Sequence, residues 1–118
     1  MSAELDRHVE RFNHGVRSGD FDPMLSGFTD DAELAFEGVP AGPFLGRDEI
    51  RTAYREQPPD DVVVVLGSRL EGEDEVATYA WGARPEAAAG EMRFTRRDGL
   101  VARLVVSFFP GDSGTDRS

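Results

Sequence analysis

At Val62 the spacing of apolar residues changes from that of helices to that of strands, and it does not change back. Before that point the chain is largely helical. Leu5, Val9, Phe12 and Val16 recur at i, i+4, i+7 and i+11, which predicts an amphipathic helix from Ser2 to Ser18. Ser2 suits its cap, and Glu4 and Asp6 suit the positive end of its dipole. Asp22-Pro23 opens a second, short helix running to about Gly27 or Phe28. Asp30-Asp31 reads as a turn, Ala32 to Glu37 as a short strand, and Gly38 to Pro43 as a loop. A third helix opens at Gly46-Arg47-Asp48 and must stop by Gln57, because Pro58-Pro59 follow.

After Val62 come four strands. They are Val62 to Leu70, Val76 to Arg84, Glu91 to Arg97 and Leu100 to Phe109. Glu71 to Asp74 turns the first pair, a loop from Pro85 to about Ala89 follows, and Asp98-Gly99 is a two-residue hairpin signal. Helices placed ahead of an antiparallel meander define an α+β domain over residues 1–110, with residues 111–118 as a flexible tail. To cover the stripe of the first helix the sheet must curl around it. A sheet curled in that way leaves a concave mouth, a natural place for a small molecule.

Composition removes several classes of function. Thirteen basic residues, all Arg, stand against twenty-three acidic ones, for a net charge of −10. That balance argues against nucleic acid and against an anionic membrane surface. No cysteine is present, so thiol chemistry, disulfides and cysteine-ligated metals are excluded, and without Lys there is no Schiff base. No apolar run approaches the ~20 residues of a membrane span. The start, Met1 to Asp6, lacks the basic and apolar regions of a signal peptide, so a cytoplasmic location is expected. There is no phosphate-cradling glycine loop and no dinucleotide fingerprint, and no cofactor is expected. The two histidines have no third ligand at metal spacing, so no metal site is expected either.

A set of motifs runs from Leu5 to Phe109 in a recognisable order. It comprises Phe12-Asn13 with Ser18-Gly19-Asp20, then Met24-Leu25-Ser26-Gly27-Phe28-Thr29-Asp30-Asp31-Ala32-Glu33-Leu34, then Gly46-Arg47-Asp48-Glu49-Ile50-Arg51, then the Gly72 to Trp81 hairpin. In these the chain resembles the nuclear transport factor 2-like superfamily, in its SnoaL-like and ketosteroid isomerase-like branch. The resemblance implies a conical α+β barrel, a deep apolar cavity and frequent homodimers. It implies no single chemistry, because this fold hosts isomerases, cyclases, hydrolases, dehydratases and non-enzymes. Ketosteroid isomerisation needs a carboxylate base with a phenol and a protonated acid as oxyanion hole. By motif position this chain puts Phe12 in place of the phenol, Phe36 in place of the base and Gly90 in place of the acid. None can move a proton, so steroid isomerase activity is rejected.

Strand alternation sets out the candidate site. Ala102, Leu104, Val106 and Phe108 form one set on the last strand, with Met92 and Phe94 on its partner. Together with Phe12, Phe36 and Tyr54 they line an apolar cavity or simply fill the core. The opposite set is Ala77, Tyr79, Trp81 and Ala83 with Val101, Val105 and Phe109. An outward apolar face of this kind needs a cover, and a homodimer through the outer sheet face supplies it. Which face carries Trp81 depends on register. His8, flanking the helix stripe, is a candidate general base at the mouth, as is Glu37 at the end of the first strand. His14 points away from the stripe to solvent. Arg84 and Glu91 bracket a loop and read as a rim ion pair or an anion contact for a ligand, while Glu71 to Glu75 read as a solvated acidic turn. Two functions stay open. One is a pocket for a small hydrophobic molecule, with cofactor-independent isomerase, cyclase or hydrolase-type chemistry. The other is a non-catalytic ligand-binding or dimeric assembly module.

Overall fold

Ser2 caps the first helix as its position suggests, its hydroxyl accepting a hydrogen bond from the Leu5 N–H at 3.0 Å. The computed structural model describes residues 2–109; the tail expected over residues 111–118 lies outside the described residues. Helix α1 is Ala3–Ser18 and α2 is Asp22–Leu25, shorter than expected because Phe28 already begins a strand. Strand β1 is Phe28–Phe36, so the expected turn at Asp30-Asp31 lies inside it. The two aspartates occupy a stretch where the ladder to the neighbouring strand shifts register. There Asp31 accepts from the Thr29 hydroxyl at 2.9 Å and from Arg97 at 2.7 Å, so polar turn-formers are accommodated at an irregularity. Strand β2, Phe44–Leu45, was not expected, and it pairs with β1. Helix α3, Arg47–Glu56, ends before the two prolines.

The remaining strands are β3 (Val63–Glu71), β4 (Asp74–Trp81), β5 (Gly90–Arg97) and β6 (Leu100–Phe108). The turn between β3 and β4 narrows to Gly72-Glu73, and Asp98-Gly99 turns β5 into β6 with φ of 56° and 81°. The single sheet has the order β2-β1-β6-β5-β4-β3 and pairs antiparallel throughout except between β1 and β6. It is curved and unclosed, the α+β architecture expected of the sequence. The main core joins α1, α2 and α3 to one face of the sheet through Leu5, Met24, Leu25, Phe28, Leu34, Ile50, Phe94 and Leu104.

Two face assignments are corrected. Val101 was placed outward with Val105, yet it is 4% exposed and belongs to the core. A register shift between Thr95 and Arg96 inserts an extra residue in β6 and turns Val101 inward while leaving Leu104 and Val106 inward. Ala77, Tyr79 and Trp81 were placed outward, yet Ala77 pairs with Met92 and all three pack into the core side. The outer face is instead polar. Arg69 bridges Glu71 at 2.7 Å and Glu91 at 3.0 Å, and Arg93 bridges Glu71 and Asp74. No helix among the described residues is long and apolar enough to cross a membrane.

Candidate functional site

Between α1, α3 and the concave side of the sheet lies a half-open cavity of about 320 Å³. Strand parity builds most of its wall. Leu34 and Phe36 on β1, Met92 on β5, and Leu104, Val106 and Phe108 on β6 point into it. Phe12 reaches it from α1 and Tyr54 from α3, so both helices contribute aromatic rings. Val39 and Ala41 of the loop after β1 line it as well, although Val39 is 42% exposed. Of the pocket residues expected from sequence, Ala102 and Phe94 are absent from the wall. Ala102 is the extra residue at the register shift in β6. Phe94 is fully buried deeper in the core, under the ring of His8.

Three lining aromatics were not foreseen. Tyr79 and Trp81 enter the cavity because β4 has the opposite facing from that expected, and Phe44 enters from the unforeseen β2. Their rings meet others nearly edge-on, Tyr79 against Trp81 at 5.6 Å and 84°, Phe36 against Phe44 at 6.3 Å and 80°. Phe12 meets Tyr54 at 6.4 Å and 84°, and Phe36 stacks on Phe108 at 6.4 Å. The Tyr79 hydroxyl makes a long, 3.5 Å donation to the Ser107 carbonyl. Burial pushes the Tyr54 hydroxyl above its usual range, so it stays protonated.

Among the described residues, His8 is the one lining the cavity whose ordinary titration falls near neutral pH. It is 8% exposed and wedged against Phe94 and Phe28, with ring centroids at 5.0 and 5.7 Å. Burial, then the nearby Arg96 and Arg11 charges, push its pKa from 6.5 down to about 4. The imidazole is therefore neutral at physiological pH. No hydrogen bond to its ring is found among the described residues. Glu75, the ion-pair partner of Arg96, is pulled in two directions. Burial would raise its pKa, but hydrogen bonds from Ser2 at 2.7 Å and Arg96 at 2.9 Å hold it below the usual value.

The other sequence candidates fall elsewhere. Because Phe36 points into the cavity, Glu37 points away from it. Glu37 lies on the outer face beside Glu91, Arg93, Arg103 and Ser107. Among the described residues no carboxylate lines the cavity. Glu91 pairs with Arg69 rather than Arg84, and Arg84 is exposed. The acidic turn is largely ion-paired rather than solvated, with Arg69, Arg93 and Arg96 taking Glu71, Asp74 and Glu75. His14 is exposed. Among the described residues no group of three or more metal-ligating side chains is placed to hold an ion.

Two further contacts shape the cavity, and neither partner is local in sequence. Asn13 holds the edge strand β3 to α1, its amide donating to the Val63 carbonyl at 3.0 Å and accepting from the Val63 N–H at 2.8 Å. At Gly90, an added Cβ would overlap the Ser107 carbonyl oxygen, so the close approach of β5 and β6 requires glycine. The position equated with the isomerase acid thus has no room for a side chain.

A family model for the SnoaL-like domain matches residues 9–104. Among solved structures, a SnoaL-like protein of unknown function from Burkholderia thailandensis superposes with a TM-score of 0.69 at 16% identity, covering 92% of this chain and 97% of that one. An NTF2-like protein of unknown function from Cytophaga hutchinsonii gives 0.65 at 17% identity, covering 93% of each chain. A provisionally assigned polyketide cyclase from Sinorhizobium meliloti gives 0.60 at 21% identity, covering 89% of this chain and 99% of that one. At these identities the likeness carries the fold and no activity. No curated protein matches the chain at a significant level. The match over residues 9–104 means that the chain belongs to the SnoaL-like domain family, and its curved sheet wrapped on α1 is an NTF2-like fold.

Proposed function

We propose that the cavity binds a small, predominantly apolar molecule, with His8 as its hydrogen-bonding anchor. The observation that carries this reading is the cavity itself. It holds about 320 Å³ although large side chains line it, within the ~300–1,000 Å³ range of ligand sites. A closed interior filled by Phe12, Phe36 and Phe108 would have favoured an assembly module. His8 supports the anchor role because its neutral ring can exchange one hydrogen bond at no cost in charge. Turnover by an isomerase, cyclase or hydrolase-type route would need proton transfer at His8. A base with a pKa of about 4 is weak, and no carboxylate among the described residues lines the cavity to orient it. Binding is therefore the activity we assign, in a protein we place in the cytoplasm.

The single tryptophan provides the test, because Trp81 lines the cavity. Titration with N-phenyl-1-naphthylamine, a neutral apolar fluorophore, should quench Trp81 saturably by energy transfer. Phe36→Asp should weaken this at least tenfold by placing a charge in the apolar wall. Native mass spectrometry of the freshly purified chain should show a retained small molecule. No saturable quenching and no thermal shift across a panel of hydrophobic compounds would return the protein to the assembly reading.

We also propose that two copies meet through the outer sheet face. The support is no longer Tyr79 and Trp81, which point inward, but Val64 and Leu66. They alternate with the inward Val63 and Val65 and are 36% and 45% exposed. Light scattering showing a monomer at micromolar concentration would refute this.

A further inference from the structure

Residues 38–46, Gly-Val-Pro-Ala-Gly-Pro-Phe-Leu-Gly, carry no polar side chain, in a chain of which 31% is charged. Yet residues 38–43, which join β1 to β2, are exposed along their whole length. Apolar surface shown to water in one piece marks a contact still to be made. The cavity is beside it. Val39 and Ala41 line the hollow and are exposed, whereas the floor formed by His8, Leu34, Tyr79 and Leu104 is buried. The segment is tied at its two ends only. The Glu37 N–H donates to the Val106 carbonyl at 2.9 Å, and Phe44 pairs with Leu34 in the β1–β2 ladder. Among the described residues, no hydrogen bond to residues 38–43 is found between those ties. A segment so held is at the low end of local stability.

Resting on the reading of the cavity as a ligand site, we propose that residues 37–43 are a strap that closes over an occupied cavity, with Val39 and Ala41 pressed onto the guest. The sequence builds two swivels around a stiff tip. Gly38 and Gly42 hold φ of 86° and 76°, and a Cβ added at Gly38 would meet nothing, so glycine serves backbone rotation there and not packing. Between them Pro40 locks its own φ and restricts Val39 before it, so Val39-Pro40-Ala41 moves as a unit. Turning one stiff piece about two points orders few bonds, and closure takes the tip's apolar surface out of water. Without closure, the outer end of an apolar guest in a half-open cavity stays wet. The strap therefore sets how long a guest remains, through the dissociation rate.

The test leaves the strap's own sequence intact. The chain has no cysteine, so Arg55→Cys places a single spin label on the exposed end of α3. Paramagnetic broadening of the Val39 and Ala41 methyl signals then reports their distance from α3. Saturation with N-phenyl-1-naphthylamine should change that broadening at least twofold, while the buried methyls of Val76 and Ala77 keep theirs. In stopped-flow measurements of Trp81 quenching, Val39→Ser should speed release of the fluorophore by roughly fivefold, the share of apolar contact that closure adds, with association little changed. Val39 is 42% exposed, so this variant folds. Saturable quenching with a smaller change in broadening, or with release from Val39→Ser as slow as from the parent, would overturn the strap and leave the cavity a ligand site. Absence of saturable quenching by the fluorophore, with no thermal shift from the hydrophobic panel, would overturn both readings.

Discussion

Lowering the pH from 7 to 5 should destabilise the fold by about 2 kcal/mol through His8 alone. In the unfolded chain this histidine titrates near 6.5, whereas in the folded chain burial and two arginine charges hold it near 4. Between those values the unfolded chain takes up a proton that the folded chain refuses, so stability falls as pH falls. Over the whole interval the loss is about 3 kcal/mol, at ~1.4 kcal/mol per pK unit. Most of it falls above pH 5, where the carboxylates held low by arginines have barely begun to protonate. Asp31, Glu71 and Glu75 contribute stability that is present above their unfolded pKa values and lost below them, in a more acid window. Urea unfolding followed by Trp81 fluorescence at pH 7 and pH 5 measures the difference. His8→Leu is the control, and its stability should change little between the two pH values. Equal stability of the parent chain at both, or an equal slope in the variant, would show that His8 is not held neutral by burial.

Further outcomes follow from the backbone contacts. Asn13→Ala should cost about 1–3 kcal/mol, because it strands both polar groups of Val63. The Val63 amide should then exchange faster by NMR, and unchanged exchange would count against the clamp. Gly90→Ala should cost about 3 kcal/mol or more, since β5 or β6 must shift to admit a methyl group. Thermal unfolding should register this as a drop of more than about 10 °C.

Most of the fold was readable because strong local signals happened to coincide. The stripe of Leu5, Val9, Phe12 and Val16 fixed the first helix, and Asp98-Gly99 fixed the last hairpin closely enough to put Met92, Leu104 and Phe108 on one wall. Where no tight turn tied a strand to its neighbour, facing was free. Residues 82–89 between β4 and β5 form such a stretch, and a slip of one residue there exchanged the two faces of Tyr79 and Trp81. The register shift in β6 had the same effect on Val101, and nothing in the local sequence announces it. Asn13 was noticed as part of a motif, but its partner lies fifty positions away, so its role is visible only in three dimensions. The depressed basicity of His8 depends on Phe28, Phe94 and Arg96 meeting around it, which no spacing rule encodes.

The tight seam at Gly90 also limits how this domain can acquire new chemistry. A relative with a bare hollow is an obvious starting point for retrofitting proton transfer, and the simplest route would restore an acid where comparable enzymes keep one. Here that route is shut by main-chain atoms rather than by side chains, so neighbouring substitutions cannot make space for it. Any grafted acid would have to hang from Met92, Leu104 or Val106 instead, and so would approach a substrate from a different wall.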